Sequence, residues 1–89
     1  MTGTIFDVMY APLGYTAGEV VVPDGLQVVA AEVDEASLRV ALHYMADSGA
    51  GRMRRTIRAA PTGAKFEGAG RHVWTVLRLG VPFHYVIEE

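Results

Sequence analysis

Cysteine is absent from this sequence of 89 residues. Disulfides and thiolate metal sites are therefore excluded as supplements to a small core. An apolar run of about 20 residues, the length of a membrane-spanning helix, is also absent, because Pro23-Asp24-Gly25 interrupts the longest apolar stretch. Residues 1–7 lack the basic and apolar regions of a signal peptide. These absences predict a cytoplasmic protein that does not enter a membrane.

Apolar residues, by contrast, are abundant. They make up 51% of the chain, and charged residues only 20%. At this length we expect residues 1–89 to fold as a single domain, which buries only about two thirds of the surface that its unfolded form exposes. The apolar content exceeds what a small monomer needs to bury, and the surplus predicts a homo-oligomer.

Charge is unevenly distributed along the chain, although the net charge is only −2. Residues 1–47 contain seven acidic residues and one basic residue, whereas residues 48–89 contain seven basic and three acidic residues. Two interpretations fit this asymmetry. The second half presents a cationic surface, or the two halves interleave and their charges neutralise each other.

Hydrophobic alternation and turn residues predict an all-β fold. Short alternating or β-branched runs are separated by turn sequences such as Pro23-Asp24-Gly25 and residues 46–51. The near-continuous apolar run at residues 26–33 predicts a strand that is buried on both faces. Six or seven short strands fit a small antiparallel sandwich or barrel, with at most one short helix.

Residues 35–46 fit two kinds of secondary structure. Their apolar positions have helical spacing after a possible cap at Asp34 or Ser37. Residues 38–45 also alternate with period two, as does the run at residues 52–59 beyond a Gly-rich turn. We expect these two runs to form a hairpin, with a helix over residues 35–46 as the alternative.

Four segments occur in an order that is typical of a known family. They are Val-Val-Val-Pro-Asp-Gly at 20–25, Leu-Arg-Val-Ala-Leu at 38–42, Arg-Thr-Ile-Arg at 55–58 and Phe-His-Tyr-Val-Ile-Glu at 83–88. Over nearly its whole length the chain resembles a family of small phage and prophage β-proteins of unknown function. It departs from the family pattern at residues 60–63 and lacks the family's Gly-Thr pair at residues 71–79. The resemblance implies a phage origin, hence the host cytoplasm, and a β fold, and it brings no catalytic residue.

The sequence shows no catalytic motif. Its histidines lack metal-ligand spacing, so we expect neither a metal site nor another cofactor. The serines, Ser37 and Ser48, lie in cap or turn contexts rather than in a nucleophile elbow. Gly-x-Gly followed by a cation occurs at residues 49–52 and 68–71, which fits either an anion-binding loop or an ordinary flexible turn. We therefore expect a protein that is not an enzyme, since a hydrolase would have to use a histidine as its base.

The strand at residues 52–58 is the most informative feature. Its alternate arginines project to one face, and the predicted hairpin places Arg39 and His43 beside them. Such a row of like charges needs anionic partners, which are either the chain's own acids or the phosphate of a ligand. We expect Trp74 to share a face with His72 and His84, because an aromatic ring beside cations suits a nucleobase with its phosphate. The predicted ligand-binding residues are Arg39, His43, Arg52, Arg54, Arg58, Arg71, His72, Trp74 and His84.

Together these features predict a phage-encoded, non-enzymatic homo-oligomer that binds a small anionic nucleotide. Such a protein would act as a sponge for a signalling molecule of host immunity. The alternative is a structural or protein–protein interaction protein, either a virion accessory or an inhibitor of a host protein, with a large exposed apolar patch. The negative net charge argues against nucleic acid as the partner.

Overall fold

The computed structural model describes residues 3–88, which form seven antiparallel strands in two sheets. One sheet has the order β1-β4-β3 and the other the order β2-β5-β7-β6. The predicted all-β sandwich is confirmed. None of the described residues belongs to a helix with the length and apolarity that crossing a bilayer requires. The strands are β1 (Thr4–Pro12), β2 (Gly18–Pro23), β3 (Gln27–Asp34), β4 (Arg39–Asp47), β5 (Arg52–Ala60), β6 (Gly70–Arg78) and β7 (Val81–Glu88).

Alternating side chains of the two sheets meet in one apolar core. Val40, Leu42 and Tyr44 of β4 point inward from the first sheet, and Tyr85 and Ile87 of β7 point inward from the second. Each such side chain contributes about 1.5–3 kcal/mol when it is fully buried. The period-two pattern of the sequence thus determines which residues form the core and which remain on the two outer faces.

Three connections cross between the sheets, and the first of them is residues 13–17 between β1 and β2. The turn at Asp24-Gly25, where Gly25 has a φ of +73°, joins β2 in one sheet to β3 in the other. Residues 48–51 join β4 to β5 in the same way. The predicted hairpin between residues 38–45 and 52–59 is therefore wrong. Alternation identifies a strand but not its neighbours, and β4 pairs with β1 and β3 while β5 pairs with β2 and β7.

Residues 39–47 form the central strand β4, so the helix alternative for this segment is wrong. Hydrogen bonding to a strand on each side and burial of one face favour the extended form. Asp34 does cap the turn before β4, where its carboxylate accepts hydrogen bonds from the backbone N–H groups of Ala36 and Ser37. The prediction that residues 26–33 are buried on both faces is also wrong, because β3 is an edge strand whose outer face exposes Val29.

Candidate functional site

The nine predicted ligand-binding residues are divided among three regions of the molecule. The largest group lies on the outer face of the β2-β5-β7-β6 sheet, which we call the β5 face. The arginines that β5 contributes to this face alternate with side chains that point inward, such as the buried Ile57 and Ala59. The predicted residues on the β5 face are Arg52, Arg54, Arg58, His72 and His84.

The other four residues lie elsewhere. Arg39 and His43 project from the outer face of the β1-β4-β3 sheet, which we call the β4 face, across the core from β5. Trp74 packs against the core, because a bulge in β6 changes the alternation there. The prediction that it shares a face with the histidines is therefore wrong. Arg71 donates a hydrogen bond to the backbone carbonyl of Leu26 over 2.9 Å.

The charge asymmetry of the sequence becomes an asymmetry between the two sheets. The strands of the β1-β4-β3 sheet all come from the acidic half and contain four acidic residues and one arginine. The strands of the other sheet contain six arginines and two acidic residues. An anionic ligand is therefore attracted to the second sheet rather than to the first.

Carboxylates of the chain nevertheless pair with the arginines of the β5 face. Arg54 lies 3.3 Å from Glu19 of β2, and Arg58 lies 3.2 Å from Glu88 of β7. Arg52 instead donates to a backbone carbonyl. Both ion pairs are partly exposed to solvent, where a pair contributes only about 0.2–1 kcal/mol. A ligand phosphate can replace such a carboxylate at a small energetic cost.

A hollow of about 220 Å³ lies at the end of β5, on the side of Arg58. The charged and aromatic residues that line it are two cations, Arg58 and Lys65, and two aromatic rings, Tyr15 and Phe66. None of the described residues that line it is a carboxylate, although Glu67 lies 3.6 Å from Lys65 and Glu88 lies 3.2 Å from Arg58. The ring of Tyr15 is held in place by Phe83, with 4.9 Å between the ring centroids. The hollow can therefore offer charge to a phosphate and a flat apolar surface to a ring.

Charge distinguishes this hollow from three others on the surface. The hollow of about 390 Å³ that contains Arg39 and His43 also contains three carboxylates. A hollow of about 330 Å³ contains Asp47 and no cation among its described residues, and one of about 250 Å³ contains Asp7 beside His43. Of the four, the hollow at the end of β5 is the best suited to an anion.

Gly70 allows Phe66 to reach this hollow. A Cβ atom at position 70 would lie 2.5 Å from Cε1 of Phe66 and 2.7 Å from Cγ1 of Val86. The ring can lie across the start of β6 only because that side chain is absent. The Arg58 guanidinium lies 4.8 Å from the ring centroid, in cation–π contact. Phe66 thus holds the guanidinium beside the hollow.

A chain of hydrogen bonds beside the hollow links two histidines to two threonines. The Nε2 atom of His84 lies 2.7 Å from the Thr62 hydroxyl, and its Nδ1 atom lies 2.9 Å from the Thr75 hydroxyl. The Thr75 hydroxyl also lies 2.8 Å from Nε2 of His72. Because Thr62 belongs to the loop at residues 61–69, this chain attaches the loop to β6 and β7. The histidines therefore position the loop that forms one wall of the hollow.

Sequence reasoning missed the residues that the loops contribute. Tyr15, Lys65 and Phe66 follow no strand pattern, so nothing in the alternation assigned them to a face. One signal was present in the sequence. Phe66 is the only large apolar residue in a loop of small and polar residues, and such a side chain usually packs against another part of the protein.

Comparisons with known proteins leave the chain without an assigned family. No protein-family model, curated protein or solved structure matches it. The resemblance to phage β-proteins therefore stays a prediction, and the function has to be argued from the residues themselves.

Proposed function

We propose that this protein is a non-enzymatic binding module for a small anionic ligand with a flat ring, such as a nucleotide. The observation that supports this function is the lining of the hollow at the end of β5, where Arg58 and Lys65 stand beside Tyr15 and Phe66. The cations suit a phosphate, and the aromatic rings suit a base. The described residues of the lining include neither a histidine nor a carboxylate, the usual general bases, so binding rather than turnover is the proposed activity.

The size of the hollow limits what it can hold. Its volume of about 220 Å³ lies below the roughly 300–1,000 Å³ of pockets that enclose whole drug-sized ligands. One phosphate fits inside with one face of an adjacent ring against the aromatic residues, and the rest of a nucleotide remains in solvent. We therefore expect moderate affinity and a preference for ligands that have one ring next to one phosphate.

The resemblance to phage proteins extends the proposal to a biological role. A phage protein that binds a nucleotide without converting it can lower the concentration of a host immune signal in the host cytoplasm. Affinity alone is sufficient for such a sponge. Cyclic dinucleotides and ADP-ribose derivatives are therefore the nucleotides to test first.

Calorimetric titration tests the proposal, with adenosine monophosphate, cyclic dinucleotides and ADP-ribose as ligands and inorganic phosphate as the charge-only comparison. We expect at least one nucleotide to bind more tightly than phosphate. Arg58→Ala should weaken that binding about tenfold or more, since a hydrogen bond to a charged group contributes about 1.5–3 kcal/mol. Arg54→Ala, on the same strand and face but outside the hollow, is the matched control. The proposal fails if no nucleotide produces heat, or if both variants lose the same affinity.

The β4 face supports a second candidate, an interaction protein. It exposes 74% of Phe6, 46% of Tyr10 and 45% of Val29. Large apolar side chains grouped on one sheet face are typical of protein contacts. A protein with this function would lose its partner in a Phe6→Glu variant and would keep any nucleotide binding at the end of β5.

A further inference from the structure

The β4 face consists of five rows of side chains that cross its strands, with apolar residues toward the centre, Asp47 at one end, and Arg39 with its ion-pair partner Asp34 at the other. The register of β1, β4 and β3 defines these rows. From one end to the other they are Thr4 and Asp47; Phe6, Met45 and Gln27; Val8, His43 and Ala30; Tyr10, Ala41 and Glu32; and Pro12, Arg39 and Asp34.

We propose that a second copy of this chain packs on the β4 face, related to the first by a two-fold axis that crosses the strands at the central row. A two-fold contact requires each surface to complement itself. This axis sets the first row of one copy against the last row of the other. Asp47 then faces Arg39 of the second copy, and Phe6 in the second row faces Tyr10 in the fourth.

The other axis that could stack two β4 faces runs along β4 and does not fit. It would set Arg39 against Arg39 and Asp47 against Asp47. Like charges directly opposite each other are destabilising. The axis across the strands replaces these two repulsions with two opposite-charge contacts and adds two aromatic pairs, each worth about 0.5–1.5 kcal/mol beyond its buried area.

A hollow on the same face receives the aromatic side chain of the second copy. It has a volume of about 250 Å³ and is lined by Phe6, Val8, Val29 and His43, among others. In the proposed dimer Tyr10 of the second copy lies above Phe6, at the rim of this hollow. The ring can therefore fill a space that is open in a single copy.

The size of the face predicts a reversible dimer. At about 4.8 Å between strands and about 3.3 Å per residue, two strands of nine residues and one of eight cover about 14 Å by 30 Å. Two copies thus bury a flat footprint of about 850 Å², and the accessible area of a corrugated surface exceeds its footprint. Specific interfaces begin at about 1,200 Å². Glu32 and Asp34 also leave each face with a net negative charge, so we expect a dimer that dissociates on dilution.

Head-to-tail stacking of the β4 face on the β5 face of another copy would match the net charges of the two sheets. The loop at residues 61–69 is attached across part of the β5 face, however, through the hydrogen bond between Thr62 and His84. A flat sheet face cannot pack closely against that surface. Such a contact also does not close on itself and would produce filaments rather than dimers.

Sedimentation velocity over a range of concentrations tests the dimer. The unmodified chain should pass from monomer to dimer and no further. Phe6→Glu should weaken dimerisation at least tenfold, because it buries two unpaired carboxylates at the interface. Val21→Glu is the matched control, since Val21 is a strand residue that is 53% exposed on the β5 face. A chain that stays monomeric, grows beyond a dimer, or dimerises equally well as Phe6→Glu overturns the proposal.

Cross-linking tests the axis, and the absence of cysteine makes single-cysteine variants unambiguous. Stacked sheets lie about 10 Å apart, beyond the reach of a disulfide, so a short bismaleimide is the suitable reagent. Val8 lies on the proposed axis and Ala41 does not. Val8→Cys should therefore give a linked dimer, and Ala41→Cys should not. The opposite result would assign the axis along β4, and failure of both variants to link would remove the β4 face as the interface.

Discussion

Substitution of Gly70 by alanine should displace Phe66 from the candidate site. The added Cβ would lie 2.5 Å from a ring carbon of Phe66, whereas carbon atoms pack at about 3.5–4.0 Å. The ring must therefore move by about 1 Å or more. Its contact with Arg58 is then weakened, which costs up to about 0.5–1 kcal/mol, together with part of the ring's burial. Alanine also lowers the conformational entropy of the unfolded chain, which stabilises the folded state by about 0.4–1 kcal/mol. We expect a net loss of about 1 kcal/mol of stability.

Urea unfolding of a double-mutant cycle measures this effect. Gly70→Ala should cost less in a Phe66→Ala background than in the unmodified chain, with a coupling of about 1 kcal/mol. The close approach to Cγ1 of Val86 is present in both backgrounds and cancels in the cycle. Gly51→Ala is the control, since no heavy atom lies within 4 Å of its added Cβ. Additive effects of the two substitutions would show that Phe66 does not lie across Gly70 and would refute its placement in the wall of the hollow.

The turn between β6 and β7 and a buried tyrosine of the core can each be tested by one substitution. Leu79 is 90% exposed and has a φ of 51°, next to Gly80 at 79°. Leu79→Asn should therefore stabilise the chain by about 1 kcal/mol, seen as a melting temperature about 4–8 °C higher, and Leu77→Asn in the extended part of β6 should give no gain. Burial raises the pKa of Tyr85, whose hydroxyl donates to the Pro12 carbonyl over 2.7 Å. Because its folded-state pKa is the higher one, the stability that it contributes is complete below pH about 10 and is lost as the pH rises through that pKa. The free energy of unfolding of the unmodified chain should therefore approach that of Tyr85→Phe in alkaline urea titrations, and a constant difference would contradict the prediction.

The strands could be predicted from the sequence because their signal is local. Alternation and turn residues lie within about ten residues of each other, and they identified β4 even where helical spacing competed. The pairing of strands could not be predicted in the same way. A Gly-rich turn such as residues 48–51 serves a hairpin or a crossing between sheets equally well, and burial of the flanking strands against the core decides between them.

The candidate site was predictable only in part, because it depends on strand pairing and on loop residues. The alternate arginines of β5 do share a face, as period two requires. Their neighbours depend on strand pairing, however, and the prediction that Arg39 and His43 lie beside them is wrong, because both lie on the other sheet. The bulge in β6 turned Trp74 inward, and bulges have no dependable sequence signal. The aromatic residues of the hollow came from loops, where a sequence does not show which surface a side chain covers.

β2 ends before it reaches Arg58, the arginine that lines the hollow. Among the described strands, β2 alone comes from the acidic half and lies in the basic sheet, and its Glu19 pairs with Arg54. The register ends where Gly18 meets Ile57, so Arg58 lies beyond the reach of β2. If the strand continued, position 17 would stand opposite Arg58.

Ala17→Glu should therefore place a second carboxylate beside Arg58, in addition to Glu88, and weaken nucleotide binding about tenfold without changing any residue that lines the hollow. Ala17→Gln, which has the same shape and no charge, should bind as the unmodified chain does. Calorimetric titration of both variants, with equal thermal stability as the check on folding, measures the difference. If the two variants bind equally well, the positive charge at this end of β5 does not attract the ligand, and the proposed site would have to lie elsewhere.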